Sequence, residues 1–123
     1  MSVPVRALIV DDEPLARDGL RMMLGAMADI AVVGEAGDGV EAVERYQELR
    51  PEVTTLDITM PEKDGLSALR EIIQLDPAAR VVMCSALGQE SKVLESIKLG
   101  AKDFVVKPFQ ADRVLGAVEK ALS

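Results

Sequence analysis

The sequence contains no histidine and no tryptophan, and it has one cysteine, one tyrosine and two phenylalanines. Without histidine there can be no Ser-His-Asp triad, no Cys-His pair and no histidine-ligated zinc. Cys84 has no partner for an internal disulfide. Set in the apolar run Val81-Val82-Met83-Cys84, it reads as a small core residue, and this cysteine usage fits a cytoplasmic protein. No apolar run approaches the roughly 18 residues of a membrane span, and the N-terminus lacks the apolar block of a signal peptide. The chain is therefore expected to be soluble, with no membrane partner. Basic residues are also in deficit, 14 against 21 acids for a net charge of -7, and most of the excess acid lies in residues 1–62. Direct binding to nucleic acid is not expected from such a balance.

What is present is aliphatic. Apolar residues make up 49% of the chain and aromatics 2%, so the core has to be built from Val, Leu, Ile, Ala and Met. That composition suits helices layered on a parallel sheet. At 123 residues the chain is expected to be a single domain, 1–123, large enough to bury a real core.

The stretch Val53-Thr54-Thr55-Leu56-Asp57 begins as a β-branched, apolar run suited to a buried strand, and Pro61 cannot continue a ladder. Asp57 is thus placed where a strand ends. In an open α/β sheet that edge is where ligands bind, although a turn-forming Asp is the plainer reading of this residue alone. Upstream, Arg6 to Val10 is a short apolar strand that stops in Asp11-Asp12-Glu13-Pro14. A helix follows, with Asp12 or Glu13 as its cap, Pro14 in its first turn, and Ala16, Leu20, Met23, Leu24 and Met27 at helical spacing. Ile30 to Val33 is a second strand, and Gly34 to Gly39 a glycine-rich turn. The glycines do not have the order of a dinucleotide fingerprint and no Gly-Lys-Ser/Thr follows, so a capped turn is the better reading. The second helix carries Val40, Val43, Tyr46 and Leu49 on one face and is broken by Pro51.

After Asp57, Lys63-Asp64-Gly65 turns into a third helix whose inward residues are Leu66, Leu69, Ile72 and Ile73. Arg80 to Cys84 is a fourth strand ending in Ser85. The fourth helix runs from about Gln89 to Leu99, with Val93, Leu94 and Ile97 on its apolar face and Gly100 as its stop. Asp103 to Val106 is a fifth strand ending in Lys107-Pro108, and the last helix, from about Gln110, shows Val114, Val118, Ala121 and Leu122 on one side. Five strand-helix pairs imply parallel pairing, right-handed crossovers and helices on both faces.

Parallel strands end on one edge, so Asp11, Asp12, Asp57, Ser85 and Lys107 are expected to converge. Three carboxylates at close range raise one another's pKa unless a cation neutralises them. A few carboxylates completed by water and phosphate are the habit of Mg2+. Charge suggests a role for each: Asp57 as a nucleophile toward a phosphoryl group, Asp12 with Asp11 holding Mg2+, Lys107 as a mobile positive point, and Ser85 as a hydrogen-bond donor.

These motifs together resemble a response-regulator receiver domain: Asp11-Asp12, Leu56 to Pro61 followed by Asp64-Gly65, Ser85-Ala86, and Lys107-Pro108 after Phe104. The resemblance covers the whole chain. It implies a flavodoxin-like, doubly wound parallel sheet of strand order 2-1-3-4-5. It further implies that Asp57 accepts phosphate from a histidine kinase or a small phosphodonor, and that Asp11, Asp12, Asp57 and the carbonyl of Thr59 bind Mg2+. The Lys107-Pro108 bond resembles the family's cis peptide, and Ser85 and Phe104 match its switch pair. The reporting surface in this resemblance is the face made by helix four, strand five and helix five. The absence of histidine then means that the phosphodonor imidazole comes from another protein.

Within the family, Cys84 to Gln89 and Lys102 to Gln110 look most like stand-alone, CheY-like chemotaxis regulators, which implies a flagellar motor switch protein as output partner. Glu13 to Leu20 reads more like receivers attached to DNA-binding domains, so a receiver cut from a longer regulator is the alternative. A monomer, or a weak dimer on activation, is expected. An aspartyl-phosphate phosphohydrolase is the reading from another class. It needs a second acid two residues after the nucleophile, where this chain has Thr59, so the protein is not expected to be an enzyme beyond its own phosphorylation and dephosphorylation.

Overall fold

Short aliphatic runs separated by amphipathic helices of ten to twelve residues produce a regular alternation of strand and helix. In the computed structural model, which describes residues 4–27 and 29–123, the elements are β1 (Val5–Val10), α1 (Pro14–Gly25), β2 (Ile30–Ala36), α2 (Gly39–Leu49) and β3 (Val53–Asp57). They continue as α3 (Gly65–Leu75), β4 (Val81–Ser85), α4 (Glu90–Leu99), β5 (Asp103–Val106) and α5 (Ala111–Leu122). All strand pairs are parallel, and the sheet order is β2-β1-β3-β4-β5, as the resemblance implied.

Two apolar layers enclose the sheet. On one face Leu8, Val10, Leu56 and Met83 meet Tyr46 of α2, Leu69 and Ile72 of α3, and Val93 of α4. On the other, Ala7, Ile9, Val53, Val82 and Cys84 meet Leu20 and Leu24 of α1 and Val114, Ala117 and Val118 of α5. Because β3 and β4 are covered on both sides, every residue in them is buried. Full burial of one Leu or Val here contributes about 1.5–3 kcal/mol.

Asp38 caps α2 by accepting from Glu41 N–H at 2.8 Å, and Asp64 caps α3 by accepting from Ser67 N–H at 2.9 Å. Gly100 closes α4 at φ 126°, a conformation that favours glycine. At the start of α1 the expectation was different. Glu13 holds the cap position, but neither it nor Asp12 caps the helix with its side chain. The Glu13 carboxylate is instead drawn to Lys107, and Asp11 Oδ1 accepts the Glu13 N–H at 2.9 Å.

Three further details depart from the sequence pattern. Strand β2 runs to Ala36, so Gly34 to Ala36 belong to the sheet and only the residues after them form the turn; a bulge between the partners of Ala7 and Leu8 accommodates the extra residue. Val40 lies at the surface while Ala42 takes the inward position of α2. Leu94 and Ile97 of α4 are also exposed, at 57% and 39%, because it is Val93 and Ser96, with Leu99 partly buried, that pack inward on that helix.

Candidate functional site

Strands β1, β3, β4 and β5 each deliver a polar residue to the carboxyl edge, at or just past the end of an apolar run. Asp11, Asp57 and Ser85 are buried there, whereas Asp12 is exposed. Carboxylate oxygens of Asp11, Asp12 and Asp57 all lie within 4.8 Å of one another. Lys107, just past β5, places its ammonium among acids: Nζ is 2.9 Å from Asp11 Oδ2, 2.9 Å from Glu13 Oε1 and 3.3 Å from Asp57 Oδ2. The Asp11 contact is an ion pair off hydrogen-bond geometry, so Asp11 Oδ2 is a buried oxygen without a donor.

Backbone contacts fix these groups in place. Arg17 donates to the Asp11 carbonyl at 2.6 Å, and Ile58 N–H reaches the Cys84 carbonyl at 3.0 Å. Lys107 N–H reaches the Ser85 carbonyl at 2.8 Å, joining the ends of β4 and β5. The loop after Asp57 is returned by Gly65, whose N–H bonds the Ile58 carbonyl at 2.7 Å. A side chain there would lie 2.0 Å from the Asp57 carbonyl oxygen, so the close approach requires glycine. The Lys107-Pro108 peptide is cis, in agreement with the resemblance.

Burial pushes the Asp57 carboxyl up to about 7; the negative charge of Asp11 adds to this and Lys107 opposes it. For Lys107, burial acts to lower the pKa, but its contacts with Asp11 and Glu13 and the charge of Asp57 outweigh that and raise it. The ammonium therefore stays charged at neutral pH. The Cys84 thiol, beside Asp57 in the ladder, is driven well up by burial and by the charges of Asp57 and Asp11, which makes it an inert core group.

Ser85 and Phe104 both line a groove of about 360 Å³, rimmed by Leu87, Leu94, Ile97 and Val106. Phe104 is half-buried. Arg113 of α5 stands over its ring at 5.5 Å from the centroid, donates to the Phe104 carbonyl at 2.6 Å, and pairs with Asp103 at 3.1 and 3.2 Å.

The structure thus brings Asp11, Asp12, Asp57 and Lys107 into direct proximity, sets Ser85 at the neighbouring strand end, and puts Ser85 and Phe104 on one groove. Thr59 lies in the loop after β3, exposed, where its Oγ1 accepts from Gln89 Nε2 at 2.6 Å. Sequence reasoning missed Glu13, Arg17 and Gln89. Glu13 follows the Asp-Asp pair directly and could have been suspected; nothing in the sequence joins Gln89 to Thr59.

Residues 7–119 match the model of the response regulator receiver domain. The chain is 55% identical to the chemotaxis protein CheY of Listeria monocytogenes, over 95% of this chain and 98% of that one. It is 53% identical to CheY of Bacillus subtilis, over 96% and 98%. Among solved structures it is similar to the CheX-CheY-BeF3-Mg2+ complex of Borrelia burgdorferi, with a TM-score of 0.93, 37% identity, and coverage of 98% of this chain and 91% of that one. With its sheet order, its strand-end acids and these relatives, the chain belongs to the response regulator receiver domain family and is a receiver of the CheY-like chemotaxis type.

Proposed function

We propose that this receiver is a phosphorylation-activated switch in which Asp57 accepts a phosphoryl group from the phosphohistidine of a histidine kinase, or from a small phosphodonor. The observation that carries this reading is the position of the Asp57 carboxylate, at a parallel strand end, with two other acids within 4.8 Å and the Lys107 ammonium at 3.3 Å. A carboxylate oxygen of Asp57 supplies the electron pair for the new O–P bond. The P–N bond to the donor imidazole breaks, and its pair leaves with the ring nitrogen, giving an acyl phosphate and free histidine.

Receiver domains bind Mg2+ at an acidic pocket, and the residues here fit that ion. The set is oxygen-only, and Asp11 Oδ2 is a buried oxygen that has the Lys107 charge beside it but no hydrogen-bond donor among the described residues. Asp11, Asp12, Asp57 and the Thr59 carbonyl would hold it. When bound, Mg2+ supplies positive charge that offsets the charge on the transferring group. Lys107 already stands within reach of both buried acids and pairs with a phosphoryl oxygen by exchanging one of its carboxylate contacts. Ser85 donates its hydroxyl to another oxygen, and Phe104 turns into the space the hydroxyl leaves. The groove between α4 and β5 changes shape accordingly, so the face of α4, β5 and α5 gains affinity for an output partner.

The exposed Leu87 and Leu94 on that groove suit a protein partner, and the chemotaxis relatives favour a flagellar motor switch protein. Thr59 cannot protonate a leaving group, so sustained hydrolysis of phosphate monoesters is not expected. Acetyl phosphate with Mg2+ should add one phosphoryl mass to the protein, and Asp57→Asn should not gain it. An unchanged mass in the wild type refutes the assignment.

A further inference from the structure

Gln89 occupies the cap position of α4 but does not cap it. Its side chain turns back instead: Oε1 accepts the Ala86 N–H at 2.7 Å, and Nε2 donates to Thr59 Oγ1 at 2.6 Å. One half-buried amide thereby bridges the loop that follows Asp57 and the loop that follows Ser85. Both loops leave adjacent strands at the site edge, since Asp57 pairs with Cys84 in the ladder. Thr59 is two residues beyond the acid, and Ala86 is one residue beyond the hydroxyl that the proposed function assigns to the phosphoryl group. The bridge therefore crosses the rim beside Asp57.

The Ala86 N–H is the informative end. Its acceptor is a replaceable side-chain oxygen, not a ladder carbonyl. A phosphoryl group on Asp57 would bring three strong acceptor oxygens to this rim. Resting on the proposed phosphorylation of Asp57, we propose that Gln89 is a positioning residue. It braces the β3–α3 loop against the β4–α4 loop in the resting protein, and its Oε1 accepts the Ala86 N–H as a stand-in that a phosphoryl oxygen displaces. Activation then has to break the bridge, and Gln89 biases the switch toward rest.

The test is a set of titrations of the full chain with beryllofluoride and Mg2+, followed by NMR. Gln89→Ala removes the bridge and should bind beryllofluoride about two- to tenfold more tightly, the scale of one net hydrogen bond. In the unliganded variant the Ala86 amide proton should move upfield, as expected for a lost acceptor, while the thermal midpoint changes little. Thr59→Val should shift affinity in the same direction, Thr59→Ser should restore the wild-type value, and Thr59→Val should add nothing in the Gln89→Ala background. Equal or weaker binding by Gln89→Ala, or additive effects of the two substitutions, overturns the proposal. Failure of the wild type itself to bind beryllofluoride overturns it together with the reading of Asp57, whereas wild-type binding with unchanged variant affinity overturns the role of Gln89 alone.

Discussion

Asp57 is held against its own preference. Burial and the charge of Asp11 push its carboxyl up to about 7, from 3.8 in an unfolded chain, and Lys107 offsets only part of this. The folded protein therefore binds a proton that the unfolded chain has lost between about pH 4 and pH 7. A group whose folded pKa is raised contributes stability at the acid end of that window and loses it as pH rises through the folded value. In metal-free buffer, Asp57→Asn should accordingly raise the thermal midpoint relative to wild type at pH 8 and have much less effect at pH 5. A difference that is constant with pH, read by calorimetry at both values, refutes the argument. The same residue shows why part of the site was legible: Asp11, Asp57, Ser85 and Lys107 each follow an aliphatic run, and parallel pairing alone brings such positions together. Glu13 and Gln89 act through side chains that reach across loops, to Lys107 in one case and to Thr59 in the other, and strand and helix periodicity carries no signal for that.

At the scale of elements, the loops are set by close backbone approach. A Cβ on Gly65 would lie 2.0 Å from the Asp57 carbonyl oxygen and 2.8 Å from Ile58 Cα, and one on Gly39 would lie 2.0 Å from the Lys63 carbonyl oxygen. Backbone atoms cannot swing aside as a side-chain tip can. Gly65→Ala should therefore displace the segment that carries Asp57 and destabilise the fold by about 1–3 kcal/mol, in the range of other overpacked sites. Gly19, in α1, has nothing among the described residues within 4 Å of its would-be Cβ, so Gly19→Ala should be neutral or stabilise by up to about 1 kcal/mol. Urea denaturation of the two variants checks the contrast, and equal effects would refute it. Strands and helices were legible because their periodicities differ. The register bulge that lengthens β2 was not, since it arises from pairing with β1, and the outward placing of Leu94 and Ile97 was not, since an apolar helix face can border a groove as readily as a core.

For the whole molecule, the order β2-β1-β3-β4-β5 reverses between β1 and β3, and the acids of β1 and β3 sit at that switch point. The same sheet then runs through β4 to β5, where Ser85 and Phe104 line the apolar groove. Site and groove thus share one sheet, and Lys107 N–H ties its last two strands at the edge by its bond to the Ser85 carbonyl. Coupling between two binding events on one molecule is reciprocal: whatever factor activation adds to partner affinity, the partner must add to affinity for the activating group. Protein mixed with lysate of its source, with and without beryllofluoride and Mg2+, should retain a flagellar switch protein only in the activated arm. Retention of a second copy or of transcription components would replace that partner. With the purified partner in saturating amount, the affinity for beryllofluoride should rise by the same factor as partner affinity rises on activation, and typical couplings predict about 5- to 150-fold. Lys107→Ala should keep the fold and bring both factors close to one. Factors of one in the wild type would mean that the groove and the acid site respond to separate conformational changes, and a full rise of partner affinity in Lys107→Ala would remove Lys107 from the link between them.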